Sequence, residues 1–545
     1  MVAERRLDEW QLMPVREPAR VYPHRIILTS GGLQAPWVGM RDARETTAQQ
    51  INKVLAAINF YLAPGGGGRA YVGRPGITVM GEDDPATEVQ AITTWYRPDG
   101  TGVTFRIADG AIDRFDWITD AWVPALTASQ IGAASITLAA SGRVQIVPFA
   151  SGLVINDRVN PMFYWTGVDG TGMTELTNAP IARWVWVKSA KLVAINAASP
   201  IEIQWSEENQ PNLGYAAGGY NNAWELRQLG NAPLVAGIGR NDGQILFRER
   251  SCFSILGEIG PDFRAASTNS DISERLGTTA PWSLYNVEAG VVFVDADARP
   301  HLATFGTEPA PLWADCLEQL SATLIPRNAV YRAWTLEDRA CGLLLIGLPA
   351  VATTQLTRFL AFDILSLQFV GLWNGIPADV LGMVQTDTGD PRWAHTVGGT
   401  TYIHGGPGGG PWDDLFVEGA QAIPHALELP ALGRDLTETL EVDTIEVGLS
   451  AALASRLTIT GETSNGAMPM LEVPIPGGGG ARIGQFVLGQ DRLGAVSRDR
   501  RAMVGQIGSG RWVRPIIRHS IRGEPISITD VRVVAFKTGA DPDVA

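Results

Sequence analysis

Lysine is scarce in this 545-residue chain: Lys53, Lys188, Lys191 and Lys537 are the only ones, and arginine supplies the rest of the 43 cationic residues. With abundant alanine, glycine and proline, that bias reflects a GC-rich coding composition and not a function. Cysteine is scarcer still. Cys252, Cys316 and Cys341 are odd in number, far apart and in no CxxC pair. This argues against a disulfide framework or a zinc site and fits synthesis in a reducing compartment. No apolar run approaches the ~18–20 residues of a membrane helix. The best, residues 341–352, is too short and contains Pro349. Residues 1–10 carry Glu4, Arg5, Arg6, Asp8 and Glu9 and are not expected to act as a secretory signal.

Catalytic signatures are missing as well. No GxSxG elbow, HExxH pair or phosphate-binding loop is present, and the glycine runs lack the following Lys-Ser/Thr. The six histidines, His24, His301, His395, His404, His425 and His519, show no metal-ligand spacing and read as surface or core residues. The Ser-x-Asp-x-Gly-x-Thr-Trp box of sialidase propellers is absent. These absences predict a protein with no catalytic residue, no metal and no cofactor.

Charge narrows the field further. The net charge of −14 comes from 43 basic and 57 acidic residues. Tight non-specific DNA binding needs clustered cations, so such a chain does not wrap DNA; an acidic wall would instead let a duplex slide past. With 45% apolar and 18% charged residues, the composition is globular. The length suggests two to four domains, although a propeller can absorb more residues in one unit.

What is present is a succession of short apolar runs. Residues 1–80 read as an N-terminal arm whose best helix is 42–61, with Ile51, Leu55 and Ile58 at helical spacing, Thr46 or Thr47 as cap, and Pro64 with the 65–68 glycine run as stop. Residues 81–420 change character. Stretches such as 102–107, 183–195, 201–205, 244–256, 290–294, 342–346 and 359–369 alternate with turn signals at all-β spacing. Two loops nearly repeat, Pro98-Asp99-Gly100-Thr101-Gly102 and Val168-Asp169-Gly170-Thr171-Gly172, and Asp-Gly between strands marks a hairpin. A β-propeller is the simplest closure of such units. Residues 421–545 read as a further β-rich unit, a sandwich or barrel, with strands near 441–449, 456–460, 482–488, 512–520 and 526–536. The expected class is therefore mainly β: helix-containing arm, propeller-like centre, C-terminal β unit.

Several clusters carry two readings each. Glu82-Asp83-Asp84 and Asp295-x-Asp297 suit either solvated loops or calcium. Trp184, Trp186, Trp205, Trp224 and Trp282 suit either packing between sheets or a sugar-stacking platform. Arg492, Arg498, Arg500, Arg501, Arg511, Arg514, Arg518 and Arg522 stand against only Asp491 and Asp499 between residues 482 and 522. They could contact phosphate or an acidic partner, or form ion pairs.

Certain residues resemble a family. Ala57-Ile58-Asn59, a glycine-rich loop and Arg74-Pro75-Gly76 look like the opening of the tail nozzle proteins of short-tailed bacteriophages. Ile203-Gln204-Trp205-Ser206-Glu207 with Asn209-Gln210-Pro211, the stretch 244–256 (QILFRERSCFSIL), Leu276-Gly277-Thr278-Thr279-Ala280-Pro281-Trp282-Ser283, Val291-Val292-Phe293-Val294-Asp295 and residues 359–373 resemble later segments, in the same order. One turn departs: Asp295-Ala296-Asp297-Ala298 stands where the family has Asp-Gly. The resemblance covers most of residues 40–375 and, more loosely, the C-terminal unit. It implies a structural protein of the virion tail, a homohexameric ring below the portal-adaptor ring. That ring would retain packaged double-stranded DNA, provide the conduit for its ejection, and help hold fibre, spike or needle proteins. DNA would pass through its channel without sequence-specific binding, and the protein would span no membrane and have no catalytic residue. Candidate gate loops are the glycine-rich ones, with Gly66, Gly67, Gly408, Gly409, Gly478 and Gly479, because glycine permits unusual backbone paths. The rival expectation is a carbohydrate-binding or glycan-cleaving propeller acting in receptor recognition.

Overall fold

The computed structural model describes residues 25–31, 39–40, 53–475 and 500–538, apart from short internal stretches (55, 66–67, 82–85, 98–99, 134–137, 140, 171, 218–219, 227–230, 260–267, 313–324, 352, 406–412, 418, 432–438, 452–454 and 522–525). Nearly every described element is a strand, because the apolar runs are short, rich in β-branched and aromatic residues, and closed by turns.

Seven four-stranded antiparallel units form a ring. The first comprises Val89–Tyr96, Gly102–Ala108, Ala111–Asp116 and Ala121–Leu126; the second Gln145–Phe149, Gly152–Asn156, Phe163–Trp165 and Thr174–Glu175. The third is Ala182–Lys188, Lys191–Asn196, Glu202–Glu207 and Gln210–Gly214, with Ala223–Glu225 also on its third strand. Leu234–Arg240, Gly243–Arg248, Cys252–Leu256 and Thr268–Ser273 make the fourth, and Tyr285–Val287, Gly290–Val294, Pro300–Thr304 and Thr307–Pro311 the fifth. The sixth is Trp334–Asp338, Leu343–Pro349, Leu356–Asp363 and Phe369–Ala378. The seventh takes Val380–Gln385, Pro391–Val397 and Thr400–His404 from its own stretch and borrows Ile77–Val79 from before the first blade. The chain is a β-propeller, and that borrowed strand closes its ring.

First strands of neighbouring blades pack against one another from blade six through seven and one to four, and the 3-10 turn Pro281–Ser283 bridges blades four, five and six. Separate apolar clusters fill the gaps between blades. Phe105 and Ile107 meet Leu153 and Trp165, Val154 meets Val185 and Leu192, and Phe247 meets Phe293. Because each blade is covered on both faces, second strands such as Gly243–Arg248, Gly290–Val294 and Leu343–Pro349 are buried at every residue. That is why they read as continuous apolar runs and not as alternating ones. The near-repeated loops are not equivalent in this ring. Residues 98–102 lead to the second strand of blade one, whereas 168–172 lie before the fourth strand of blade two. The repeat marked hairpins, not a blade period.

Where the ring closes, the first strands of blades seven and one run so close that a Cβ on Gly382 would lie 2.0 Å from the Ile92 carbonyl oxygen. Backbone cannot retreat there without parting the blades. Gly382→Ala is expected to cost about 1–3 kcal/mol, the usual range for forced overpacking. Thermal unfolding of the full chain checks this; an unchanged midpoint would mean that the two strands are not held at that spacing.

The second part of the molecule is a platform of two sheets built from both ends of the described chain. One sheet runs Arg500–Gly510, Thr439–Ala451, Ile526–Thr538, Gly68–Gly73, Phe60–Gly65, with Arg25–Gly31 also on Ile526–Thr538. The other runs Ala56–Ile58, His425–Glu428, Val513–His519, Ser455–Thr463, Gly466–Ala467, with Leu471–Ile475 also on Ser455–Thr463. Tyr61, Tyr71, Val442, Ile445 and Val533 share one apolar core with Leu427, Leu457, Ile459 and Ile517, and that core continues into blade six at Leu344, Phe359 and Trp373. Backbone pairing is continuous as well, since Ala56–Ile58 lies parallel to the outer strand of blade six.

Two expectations are corrected here. The helix expected over 42–61 is strand from Lys53–Val54 onward; residues 42–52 lie outside the described residues. Ile58 and its neighbours do have helical spacing, but Phe60, Tyr61 and Leu62 are all buried between the platform and blade six, and cross-strand pairing outweighs local propensity. Residues 1–80 also do not form an arm of their own. Apart from the parallel pair Gly39–Met40 with Lys53–Val54, their described strands belong to the same sheets as residues 425–538, and one belongs to the propeller. The short helix Ala128–Ala133 lies inside the propeller region instead. No helix among the described residues is long and apolar enough to cross a membrane.

Candidate functional site

The platform meets the propeller around one buried ion pair. Arg74 has no exposed side-chain surface and grips Asp414 with both terminal nitrogens, at 2.8 Å to Oδ1 and 2.5 Å to Oδ2. Its Nε donates to Asn59 Oδ1 at 3.0 Å, and the same oxygen accepts the Asn374 amide at 2.8 Å. Asn59 Nδ2 donates to the Pro424 carbonyl at 2.9 Å, and the Asn59 amide to that of Leu372 at 2.7 Å. Asn59 is the corner between Ala56–Ile58 and Phe60–Gly65, which belong to different sheets. It turns that corner at φ 57°, a left-handed conformation that asparagine tolerates better than most residues. Gly76 packs so closely that a Cβ would sit 1.9 Å from the Asp413 carbonyl oxygen. The Asn and Arg-Pro-Gly signals in the sequence thus build a joint that ties both platform sheets, blade six and the hairpin Asp413–Phe416 with Gly419–Ala422.

Four histidines surround this joint. His395 Nδ1 lies 3.0 Å from His404 Nε2, and His425 faces His519 across neighbouring strands. Burial, then the nearby Arg74 charge, pushes the His395 pKa down to about 3. Burial, then His395, then Arg74 lower His404; burial, then His519, then Arg74 lower His425. Burial brings His519 to about 4. All four are neutral at neutral pH, so the joint holds a single charged pair in a polar, uncharged surround. Among the described residues, no three His, Cys, Asp or Glu side chains are grouped to hold a metal ion.

The described arginines of the basic stretch are divided between the two platform sheets. Arg492, Arg498 and Arg522 lie outside the described residues, as do all six gate-loop candidates, Gly66, Gly67, Gly408, Gly409, Gly478 and Gly479. Arg500 and Arg501 open the edge strand of one platform sheet, whereas Arg511, Arg514 and Arg518 lie at or on Val513–His519 in the other. At ~3.3 Å per residue, the strand from Arg500 to Gly510 puts Arg500 and Arg511 about 30 Å apart. Arg511 and Arg518 are exposed; Arg514 pairs with Glu462 at 3.2 Å.

Other candidates resolve into structure. Trp184, Trp186, Trp205 and Trp224 are buried in the cluster between blades three and four, and Trp282 packs against that cluster. Asp295 shapes its turn: Oδ1 accepts the Asp297 and Arg299 amides at 2.8 Å each, and Oδ2 meets His301 Nε2 at 3.0 Å. Ala298 adopts φ 66° in the place where a glycine would be at ease. Glu82, Asp83 and Asp84 lie outside the described residues, as do His24 and Cys316.

A second polar centre was invisible in the sequence. Arg143, Arg158, Arg183 and Arg332 come from blades two, three and six and line one 330 Å³ cavity, at the face where the first strands begin. Arg143 donates from Nε to the Asp379 carbonyl at 3.0 Å and from Nη1 to the Arg332 carbonyl at 2.7 Å, and its guanidinium lies 4.8 Å over Trp334. Arg332 reaches Asp379 Oδ1 at 3.5 Å. Separations of 15 to nearly 200 residues hide such a grouping from any sequence window.

No family model matches the chain, and no curated protein matches it. Among solved structures it is similar to the Neurospora crassa Pan2 WD40 domain, at 9% identity and a TM-score of 0.35, over 62% of this chain and 95% of that one. A chain in a structure of S. cerevisiae Dbp5 bound to Nup159 and Gle1 is similar at 10% identity and a TM-score of 0.36, over 64% of this chain and 98% of that one.

Proposed function

We propose that this chain is a structural, non-enzymatic component of a short phage tail, six copies of which form the nozzle ring that retains packaged double-stranded DNA and conducts it into the host. One observation carries the reading. The residues on which the resemblance opens, Asn59 and Arg74-Pro75-Gly76, are the ones that lock the platform to the propeller. A part that must bear the pressure of packaged DNA needs two bodies joined without a hinge. Continuous backbone pairing, a shared apolar core and a desolvated ion pair supply that rigidity. The net charge of −14 suits a conduit that a duplex passes without sticking.

In this reading the partners are five further copies, the portal-adaptor ring, fibre, spike or needle proteins, and DNA in transit, all within the virion tail. The rival reading, a glycan-binding or glycan-cleaving propeller, loses its aromatic platform, since four of the five tryptophans are buried and the fifth is stacked on Trp334. Negative-stain electron microscopy of the purified chain with its adaptor ring tests the proposal. Six-fold rings with an open centre are expected. Separate particles that never close on the adaptor would overturn it.

A further inference from the structure

The arginine-lined cavity of the propeller has the chemistry of a ligand site that the nozzle reading does not use. Four guanidinium groups line it and no carboxylate does, in a chain whose acidic residues outnumber its basic ones. The acids nearest to it are engaged elsewhere. Asp379 Oδ2 accepts the Gln355 side-chain amide at 3.2 Å and the Gly398 amide at 3.0 Å, while its Oδ1 meets Arg332. Asp157 accepts the amides of Ala139, Val159 and Asn160 at 2.9, 3.0 and 2.8 Å and the Asn160 side-chain amide at 2.6 Å. Held in this way, Asp379 offsets part of the charge of Arg143 and Arg332, and Asp157 part of that of Arg158, from outside the cavity, and no carboxylate lines it.

Two of its donors lack acceptors. Arg143 Nη2 and Arg332 Nε are shielded from solvent and have no hydrogen-bond partner. A buried donor left unmatched costs the full desolvation of that group, more so when it is charged. Burial, then repulsion from Arg332, draws the Arg143 pKa down to about 9, so the group stays charged at neutral pH while held against its neighbours. Desolvation, then Arg183, lowers Arg158 in the same way. Arg143 repels Arg332 and Arg158, and Arg158 repels Arg183, around a partly open cavity, a configuration that an anion would relieve.

The surroundings sharpen the contrast. The neighbouring 320 Å³ cavity shares Arg143 and Arg332 but adds Glu88 and Asp379, so its charges balance. The cleft at the other end of the first strands mixes Lys188 and Arg240 with Asp242, Glu258 and Glu288. Its cations are occupied: Lys188 meets Glu258 at 3.3 Å, and Arg240 donates to the carbonyls of Val287 and Glu288 at 2.9 and 3.1 Å. Of these three cavities among the described residues, the arginine cavity is the one that combines excess positive charge with unmatched donors.

We infer that the cavity lined by Arg143, Arg158, Arg183 and Arg332 binds a small polyanion bearing more than one phosphate group. Guanidinium forks match phosphate oxygens in paired, charge-assisted hydrogen bonds. A volume of 330 Å³ exceeds what a single phosphate fills, and four cations exceed what a single phosphate neutralises. The indole of Trp282, stacked on Trp334 with ring centroids 4.4 Å apart, forms a flat apolar wall beside the charges.

The test uses the full chain and inorganic tripolyphosphate as probe, with sodium chloride and sodium sulfate at matched ionic strength as controls. Calorimetric titration is expected to show one saturable site for tripolyphosphate, at least tenfold tighter than sulfate. The variants Arg158→Gln and Arg183→Gln alter exposed rim residues, so folding should survive. Together they are expected to weaken binding at least tenfold and to abolish the ligand-induced rise in melting temperature. Without ligand the double variant should melt no lower than the parent, because repulsion has been removed. Binding no tighter than sulfate, or unchanged in the double variant, would overturn the assignment. So would a polyglutamate peptide that binds this site more tightly than tripolyphosphate, since the occupant would then be an acidic segment of a protein.

Discussion

Replacing Asp414 with alanine is expected to destabilise the full chain by about 3–5 kcal/mol, the usual cost of stranding one partner of a buried ion pair. Arg74 has no exposed side-chain surface, and Asp414 accepts from both of its terminal nitrogens, with Nη1 also donating to the Pro75 carbonyl at 3.1 Å. Without that carboxylate the guanidinium keeps its charge in a site where the four nearest imidazoles are neutral. Water would have to enter the joint, or the platform would have to move away from blade six. Replacing both partners with apolar residues, Arg74→Met with Asp414→Leu, should cost less than Asp414→Ala alone, because no charge is left buried. Chemical denaturation of the three proteins at neutral pH decides it. A loss below about 1 kcal/mol for Asp414→Ala would show that the joint is solvated, and with it the rigid connection would fail.

Acid is expected to act still more strongly. In the unfolded chain, each histidine takes up a proton as the pH falls through its ordinary value of about 6.5. In the fold, His395 holds out to about 3 and His519 to about 4, with His404 and His425 lowered in the same direction. Between these limits the unfolded state binds more protons, so stability falls as the pH falls. Each histidine contributes about a factor of ten per pH unit to the folding equilibrium; four together approach roughly 5 kcal/mol per unit. The protein should therefore hold a flat stability above pH 7 and lose most of it between about pH 6 and 4. Thermal unfolding across that range reads the slope directly. His519→Gln should make the slope shallower by about a quarter; a midpoint that does not move between pH 7 and 5 would mean that these imidazoles are not buried in neutral form.

The two predictions converge on a place only partly legible in the sequence. Asn59 and Arg74-Pro75-Gly76 stood out there, because an asparagine near a glycine run and an Arg-Pro-Gly turn are local signals. Asp414, which gives Arg74 its purpose, stood in an unremarked stretch 340 residues away. The histidines likewise looked isolated, since His395 meets His404 across a hairpin, but His425 meets His519 only through sheet pairing. The arginines showed the opposite failure. The dense 482–522 stretch drew notice, yet its described members divide between two sheets, while the four arginines that do converge are scattered from 143 to 332.

By itself the sequence determined the mainly β character, the turn-punctuated strands of a propeller and the C-terminal strands near 441–449, 456–460, 512–520 and 526–536 (482–488 lies outside the described residues), because all of these rest on patterns a few residues long. Only the tertiary structure decided that residues 53–65 are strand and not helix, that Ile77–Val79 closes the seventh blade, and that both described ends of the chain share one platform. The reason is physical: periodicity and turn chemistry act between near neighbours, whereas strand pairing, burial and the meeting of charges depend on which distant segments the fold brings together.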